Sequence, residues 1–319
     1  MSRIHEALKK AEQERAAAQA AGAQPGYESA SSPDPSIYAP EPITPSMPVA
    51  AMPESANLRM PNLGMPSMGG PLNVDTLLTR CAQMDWKPEP SAMLFMDGDD
   101  AARGTEEFRT LRSRLYHMRE KMTLKTLLVT SALPKEGKSF TSVNLAQVMV
   151  RQHGRRALLI DADLRGPRLH LMLGTTAGPG LSDYLQGKND ELSIIQRGPL
   201  DNLFFIPSGT GIEDPAELVG NGRLKMLLQR LEPLFDWIII DSPPAVPVSD
   251  SSVLAKACDG VLMVVRSNVT PSDVARRARQ EFPDQALVGL VLNGTSEDAA
   301  PYQRYYYEAY QKKETATKS

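Results

Sequence analysis

The sequence predicts an α/β protein whose mostly parallel sheet carries helices on both faces, and three observations lead there. Short apolar runs alternate with helical stretches from Leu124 onward. A Gly-Lys-Ser turn stands between one such run and the helix after it. Two further runs end in aspartates, where ligands of open parallel sheets bind, beyond the carboxyl ends of the strands.

Taken in order, LKTLLVTSA, RRALLIDAD, NLFFIPSG, DWIIIDSPP, GVLMVVRS and ALVGLVLNG read as buried strands. Phe140–Gln152, Ala216–Leu231 and Pro271–Glu281 read as the helices between them, and this rhythm is that of a parallel sheet. Ahead of the sheet, Thr105–Lys121 is predicted helical, with Phe108, Leu111, Leu115 and Met118 forming an apolar stripe. Glu106, Arg109 and Arg112 fall on the neighbouring face, as a solvated surface or as a surface offered to another subunit. Order is expected to resume near Leu72–Leu94, around Trp86.

Before that, residues 1–20 form a short expected helix with Ile4, Leu8 and Ala11 at helical spacing, either frayed or a docking element. Residues 21–71 read as a disordered tether. Eleven of the 26 prolines lie between Gln24 and Pro71, with neither helical nor alternating periodicity to bury. The expected folded domain is 72–293, and 294–319 is a tyrosine-rich tail.

Bulk composition narrows the function classes. The 319 residues carry a net charge of −3, so no nucleic-acid partner is expected. Cys81 and Cys258 lie far apart, which fits a reducing cytosol better than a disulfide framework or zinc site. The opening MSRIHEALKKAEQER lacks the apolar core of a secretory signal, and no apolar run approaches the ~20 residues of a membrane span.

SALPKEGKSF, residues 131–140, lacks the first glycine of a G-x-x-x-x-G-K-[ST] phosphate loop; Ala132 stands there. Strand before and helix after are nevertheless the required context, because N–H groups at a helix start cradle phosphate. Lys135, Glu136, Gly137, Lys138, Ser139 and Phe140 are the expected nucleotide-binding residues, with Lys138 reaching the β/γ-phosphates and Ser139 ligating Mg²⁺. Asp161 and Asp163 follow one strand, and Asp241 ends another as the expected metal-holding carboxylate. A magnesium–nucleotide site is the expectation. Tyr302, Tyr305, Tyr306, Tyr307 and Tyr310 crowd the polar tail and read as phosphate acceptors rather than a packed aromatic patch.

SALPKEGKSFTSVNLA, LLIDADLRGPRLH and IIIDSPPAVPVSD, followed by the tyrosine tail, resemble the bacterial tyrosine kinases of polysaccharide biosynthesis over roughly residues 100–310. The opening segment is more similar to the free-standing, exosortase-associated autokinases than to the fused transmembrane type. The resemblance implies a P-loop NTPase fold of the MinD/ParA-like kind and transfer from Mg–ATP to the tail tyrosines. In it Lys138, Asp161 and Asp163 are catalytic, Ser139, Asp161 and Asp241 hold metal, and Asp161 orients or deprotonates the incoming tyrosine hydroxyl. The family loop usually reads Pro-Gly-Glu-Gly-Lys-Ser, and here Lys135 replaces the first glycine. Glu106, Arg109 and Arg112 match the family's E-x-x-R-x-x-R, implying ring-like self-association. A transmembrane co-polymerase or chain-length protein is the implied activator, placing a cytoplasmic protein at the inner membrane face. The rival reading is a MinD/ParA-type ATPase, a positioning or docking switch without kinase activity, whose signature lysine would occupy the place of Leu133. A silent nucleotide-binding adaptor is a third reading, and a GTPase is disfavoured because no N-K-x-D occurs.

Overall fold

The computed structural model describes residues 72–95 and 104–295, all within one of the chain's two units, Pro61–Ser319. The expected N-terminal helix, the 21–71 tether and the five tail tyrosines lie outside the described residues.

Eight strands among the described residues form one sheet: β1 (Ala82–Gln83), β2 (Thr126–Ser131), β3 (Ala157–Asp161), β4 (Gln196–Arg197), β5 (Leu203–Ile206), β6 (Trp237–Asp241), β7 (Gly260–Arg266) and β8 (Leu287–Asn293). Their order is β1-β4-β5-β3-β6-β2-β7-β8, parallel throughout except for β4 against β5. The six predicted strands are all present. The two-residue strands β1 and β4 are too short to leave a periodic signal.

Burial on both faces explains the continuous apolar runs. In β3, Leu158 and Ile160 point into one core while Ala157 and Leu159 point into the other. In β6, Ile238 and Ile240 oppose Trp237 and Ile239 in the same way. One face is covered by α2 (Thr105–Arg119), α3 (Lys138–Val150) and α4 (Leu169–Leu173). The other is covered by α1 (Val74–Arg80), α5 (Leu181–Leu185), α6 (Pro215–Gly220), α7 (Arg223–Leu231), α8 (Asp250–Ala255) and α9 (Ser272–Gln280).

The helix expected over Ala216–Leu231 is two helices. Asn221 ends α6, and Gly222, at φ +79°, turns the chain into α7. A left-handed glycine is a common helix stop, and this Asn-Gly step carried that signal.

Leu72, where the described residues begin, packs against the core on one face of the sheet. Trp86 is buried edge-on against Phe205, and a Cβ on Gly198 would meet the Trp86 ring at 2.1 Å. Asn144, inside α3, secures this segment with two hydrogen bonds. Its Oδ1 accepts from Leu94 N at 2.8 Å and its Nδ2 donates to the Ala92 carbonyl at 2.9 Å. A buried amide survives in a helix core because such partners replace water.

Candidate active site

β2 lies between β6 and β7, and β3 flanks β6, so the carboxyl ends of β2, β3 and β6 meet at one place. The register pairs Asp161 directly with Asp241 across β3 and β6. The phosphate loop leaves β2 at the same edge and turns into α3, whose first residue is Lys138.

The loop accommodates both departures from the usual glycine pattern. Ala132 is fully buried and is not among the positive-φ residues, so nothing in its conformation calls for glycine. Backbone hydrogen bonds from Ala245 N to the Ser131 carbonyl (2.8 Å) and from Val246 N to the Ala132 carbonyl (3.3 Å) fix the loop's start. Lys135, by contrast, takes φ +66°, the left-handed conformation natural to the glycine it replaces. Gly137 is also left-handed, at φ +97°, and a Cβ there would lie 2.0 Å from Asn293 Nδ2. Position 135 thus holds a backbone conformation suited to glycine although its residue is lysine.

Lys138, Asp163 and Asp241 converge. Lys138 Nζ lies 2.6 Å from Asp163 Oδ2 and 3.7 Å from Asp241 Oδ2. Ser139 Oγ donates to Asp241 Oδ2 at 2.6 Å, and Ser142 Oγ approaches Asp241 Oδ1 at 3.1 Å. Ser142, one turn further along α3, is a site residue that the sequence reading missed. A serine inside a helix gives no distinguishing signal until the opposing strand end is in place.

Asp161 is arranged differently from Asp163. Its Oδ2 accepts from the backbone N–H groups of Arg168 (3.2 Å) and Leu169 (3.1 Å), and its buried Oδ1 has no hydrogen-bond partner. Asp163 lies beyond the strand end and takes Gly166 N on Oδ1 at 3.0 Å while its other oxygen faces Lys138. Arg165 then anchors this turn to α8 through its two contacts with Asp250, at 2.7 and 3.1 Å.

Charge sets the site's preference. Burial, then the Asp241 carboxylate, pushes Asp161 up to about 8. Burial also raises Asp241, against the pull of Lys138 and the Ser139 hydroxyl. Lys138 is raised too: burial opposes its charge, but Asp241 and Asp163 outweigh it. Three carboxyl groups crowded around one ammonium hold their protons more tightly, and a bound cation would relieve that crowding by favouring their ionised forms.

The residues present fit Mg²⁺ on this ground, and on the unpartnered Asp161 Oδ1. Among the described residues, no group of three or more His, Cys, Asp or Glu side chains is arranged to hold a metal. Mg²⁺ commonly takes one or two carboxylates and completes its shell with phosphate and water oxygens. Ser139, Asp241 and Asp161 are the side chains placed to contribute.

On α2 the three predicted surface residues divide. Glu106 and Arg109 pair with each other one helical turn apart. Arg112 turns inward and donates to the Val148 carbonyl at 2.9 Å. Phe140 packs edge-on against Phe108, which joins the start of α3 to α2. No helix among the described residues is long and apolar enough to cross a membrane.

An AAA domain family matches residues 135–272. Tyrosine-protein kinase YwqD of Bacillus subtilis is 33% identical over 192 residues, covering 60% of this chain and 81% of that protein. Tyrosine-protein kinase wzc of Salmonella typhimurium is 31% identical over 222 residues, and the match spans 69% of this chain but only 31% of that longer protein. The solved kinase domain of Escherichia coli tyrosine kinase ETK superposes with a TM-score of 0.57 at 31% identity, covering 62% of this chain and 79% of that one. At 33% identity over 81% of the YwqD protein, the chain belongs to the bacterial tyrosine-protein kinase family.

Proposed function

We propose that the chain is an ATP-dependent protein-tyrosine autokinase, passing the γ-phosphoryl group of Mg–ATP to Tyr302, Tyr305, Tyr306, Tyr307 and Tyr310. The observation that carries this reading is the meeting of Lys138, Asp163 and Asp241 at the phosphate loop. Its support in the family is the tyrosine-protein kinase names of the relatives.

In the transfer, a tyrosine oxygen bonds to the γ-phosphorus while the bond from that phosphorus to the β–γ bridging oxygen breaks, and ADP leaves. The phenolic proton, held by a hydroxyl with pKa ~10, passes to Asp161 in its ionised form, which a cation bound beside it would favour over the proton that burial otherwise retains. Lys138 supports the phosphate charge, and the loop's N–H groups hold the nucleotide in line. Mg²⁺, when bound by Ser139 and Asp241 with Asp161 beside it, supplies charge neutralisation at the phosphates. Asp163 keeps Lys138 aimed into the site.

Chain length is compatible with transfer within one chain or between neighbours. About twelve extended residues from Asn293 to Tyr305 reach up to ~40 Å. We assign the transfer to a neighbour in a ring-like oligomer built through the face of α2 that carries Glu106 and Arg109, with Arg112 holding α2 against α3 behind it. A transmembrane co-polymerase partner would hold the protein at the inner membrane face, where it regulates exopolysaccharide chain length and export.

The test is phosphosite mapping of purified chain with Mg–ATP, wild type beside Lys138→Met. Phosphotyrosine on the tail of the wild type, reduced at least ~100-fold in the variant, is expected from loss of a transition-state charge contact. Tail phosphotyrosine persisting in Lys138→Met, or absent from the wild type with its activating segment supplied, overturns the proposal.

A further inference from the structure

The phosphate loop is gripped from the side opposite its aspartates. Asn293, the last residue of β8, donates from Nδ2 to the Glu136 carbonyl at 2.9 Å, while its Oδ1 accepts from Gly294 N at 2.9 Å. Those two contacts fix the orientation of the amide. Arg266, ending β7, donates from Nη1 to the Lys135 carbonyl at 3.3 Å. The Thr270 hydroxyl accepts from Arg266 N at 3.2 Å and meets the Glu136 carboxylate at Oε1. The other Glu136 oxygen takes Leu133 N at 2.7 Å, closing the loop on itself, and Glu136 is buried. Three side chains from the β7 and β8 ends therefore reach two consecutive loop residues.

The residue so held is the one that departs from the family's glycine. Lys135 sits at φ +66°, where a side chain with a Cβ is disfavoured and persists only when its surroundings over-determine it. Gly137, also left-handed, sits so closely under the Asn293 amide that a Cβ there would displace it. If the grip were released, Lys135 would be free to return to a right-handed or extended conformation, and the loop N–H groups would lose their common aim.

We infer that Asn293, with Thr270 and Arg266, is a positioning residue for nucleotide, holding the phosphate loop in a shape that Lys135 would not keep unaided. This rests on the nucleotide-binding part of the function proposed above and is separable from the kinase chemistry. A glycine at position 135 reaches the left-handed conformation without strain, so it should make the grip less necessary.

The test is a double-mutant cycle on the full chain, read by calorimetric binding of Mg–ADP and by thermal melting. Asn293→Ala weakens Mg–ADP binding roughly five-fold, the worth of one ordinary hydrogen bond. In a Lys135→Gly background the same substitution costs less than about two-fold, the non-additivity expected of coupled neighbours. Where Asn293→Ala does not fold, Thr270→Val, which keeps the side chain's shape and removes its hydroxyl, is expected to show the same non-additivity. Equal losses of affinity in the two backgrounds, or none in either, overturn the inference. A merely structural role would lower the melting temperature alike in both backgrounds and leave the affinity ratio unchanged, which also overturns it. A chain that shows the coupling yet forms no phosphotyrosine refutes the kinase reading alone. One that labels its tail but loses affinity additively refutes the grip alone.

Discussion

Asp236 and Asp241 stand five residues apart at opposite ends of β6, and their surroundings treat charge in opposite ways. Asp236 lies at the amino end, where the Arg155 guanidinium meets Oδ1 at 2.7 Å and Arg156 N meets Oδ2 at 2.9 Å. Partial burial works against its charge, but the Arg156 N–H and the Arg155 guanidinium hold the carboxyl below the usual range. Asp241, at the carboxyl end, is buried and faces two other carboxylates with a single ammonium among them, so its affinity for a proton rises. One end of the strand is neutralised by the fold. The other keeps crowded carboxyl groups that a bound cation would relieve, the contrast expected between a carboxylate that serves stability and one proposed to serve a ligand.

The largest effect should follow from levelling that difference at Asp241. Asp241→Asn removes a buried charge from a site already rich in them, so the melting temperature of the nucleotide-free protein should stay level or rise. Mg–ADP affinity should fall roughly 10- to 100-fold, as when a group orienting a metal's shell is lost. Calorimetry and thermal melting on the same sample check both. A fall in the nucleotide-free melting temperature alongside the lost affinity would make Asp241 a structural residue like Asp236.

The same division runs along α2. Its carboxyl end belongs to the neutralised side: Arg119 donates to the Asp236 carbonyl at 2.9 Å and stacks over Trp237, with Tyr116 edge-on to the same ring. Midway, Arg112 holds the buried Val148 carbonyl, so Arg112→Ala should cost about 1–3 kcal/mol of stability. Glu106 is more than half exposed in an i,i+3 pair, and Glu106→Ala should cost no more than about 0.5 kcal/mol. Denaturant unfolding gives both values, and light scattering on the same variants reports the proposed assembly. If Glu106→Ala leaves the mass unchanged wherever the wild type is oligomeric, this face is not the ring contact.

How much of this was legible depended on whether a residue's partner was local. The six long strands announced themselves because burial on both faces makes continuous apolar runs. Lys138, Ser139, Asp161, Asp163 and Asp241 were readable because strand ends and a helix start carry positional meaning. Ser142, Thr270, Arg266 and Asn293 were not, since each acquires its role from a loop or strand end brought close by the sheet order. Asn293 lies 157 residues from the carbonyl it holds. The left-handed Lys135 was hidden for a related reason: the residue gives no sign of the conformation that its neighbours impose.

The smallest expected effect lies at Asp236, and its sign is set by the depressed proton affinity. The folded protein releases this proton more readily than the unfolded chain does, so the contribution is present above the ordinary carboxylate value of 3.8 and is lost as pH falls through the lower folded value. Asp236→Asn should therefore melt below the wild type at pH 7, by an amount corresponding to at most about 1 kcal/mol for so exposed a pair. The gap should narrow steadily below about pH 4 as the wild-type carboxylate is protonated and loses its advantage over the amide. Mg–ADP affinity should not change, because no contact links Asp236 to the phosphate loop at the other end of the strand. A gap that widens on acidification would mean that the guanidinium and N–H contacts do not govern this carboxylate, and the contrast between the two ends of β6 would then rest on burial alone.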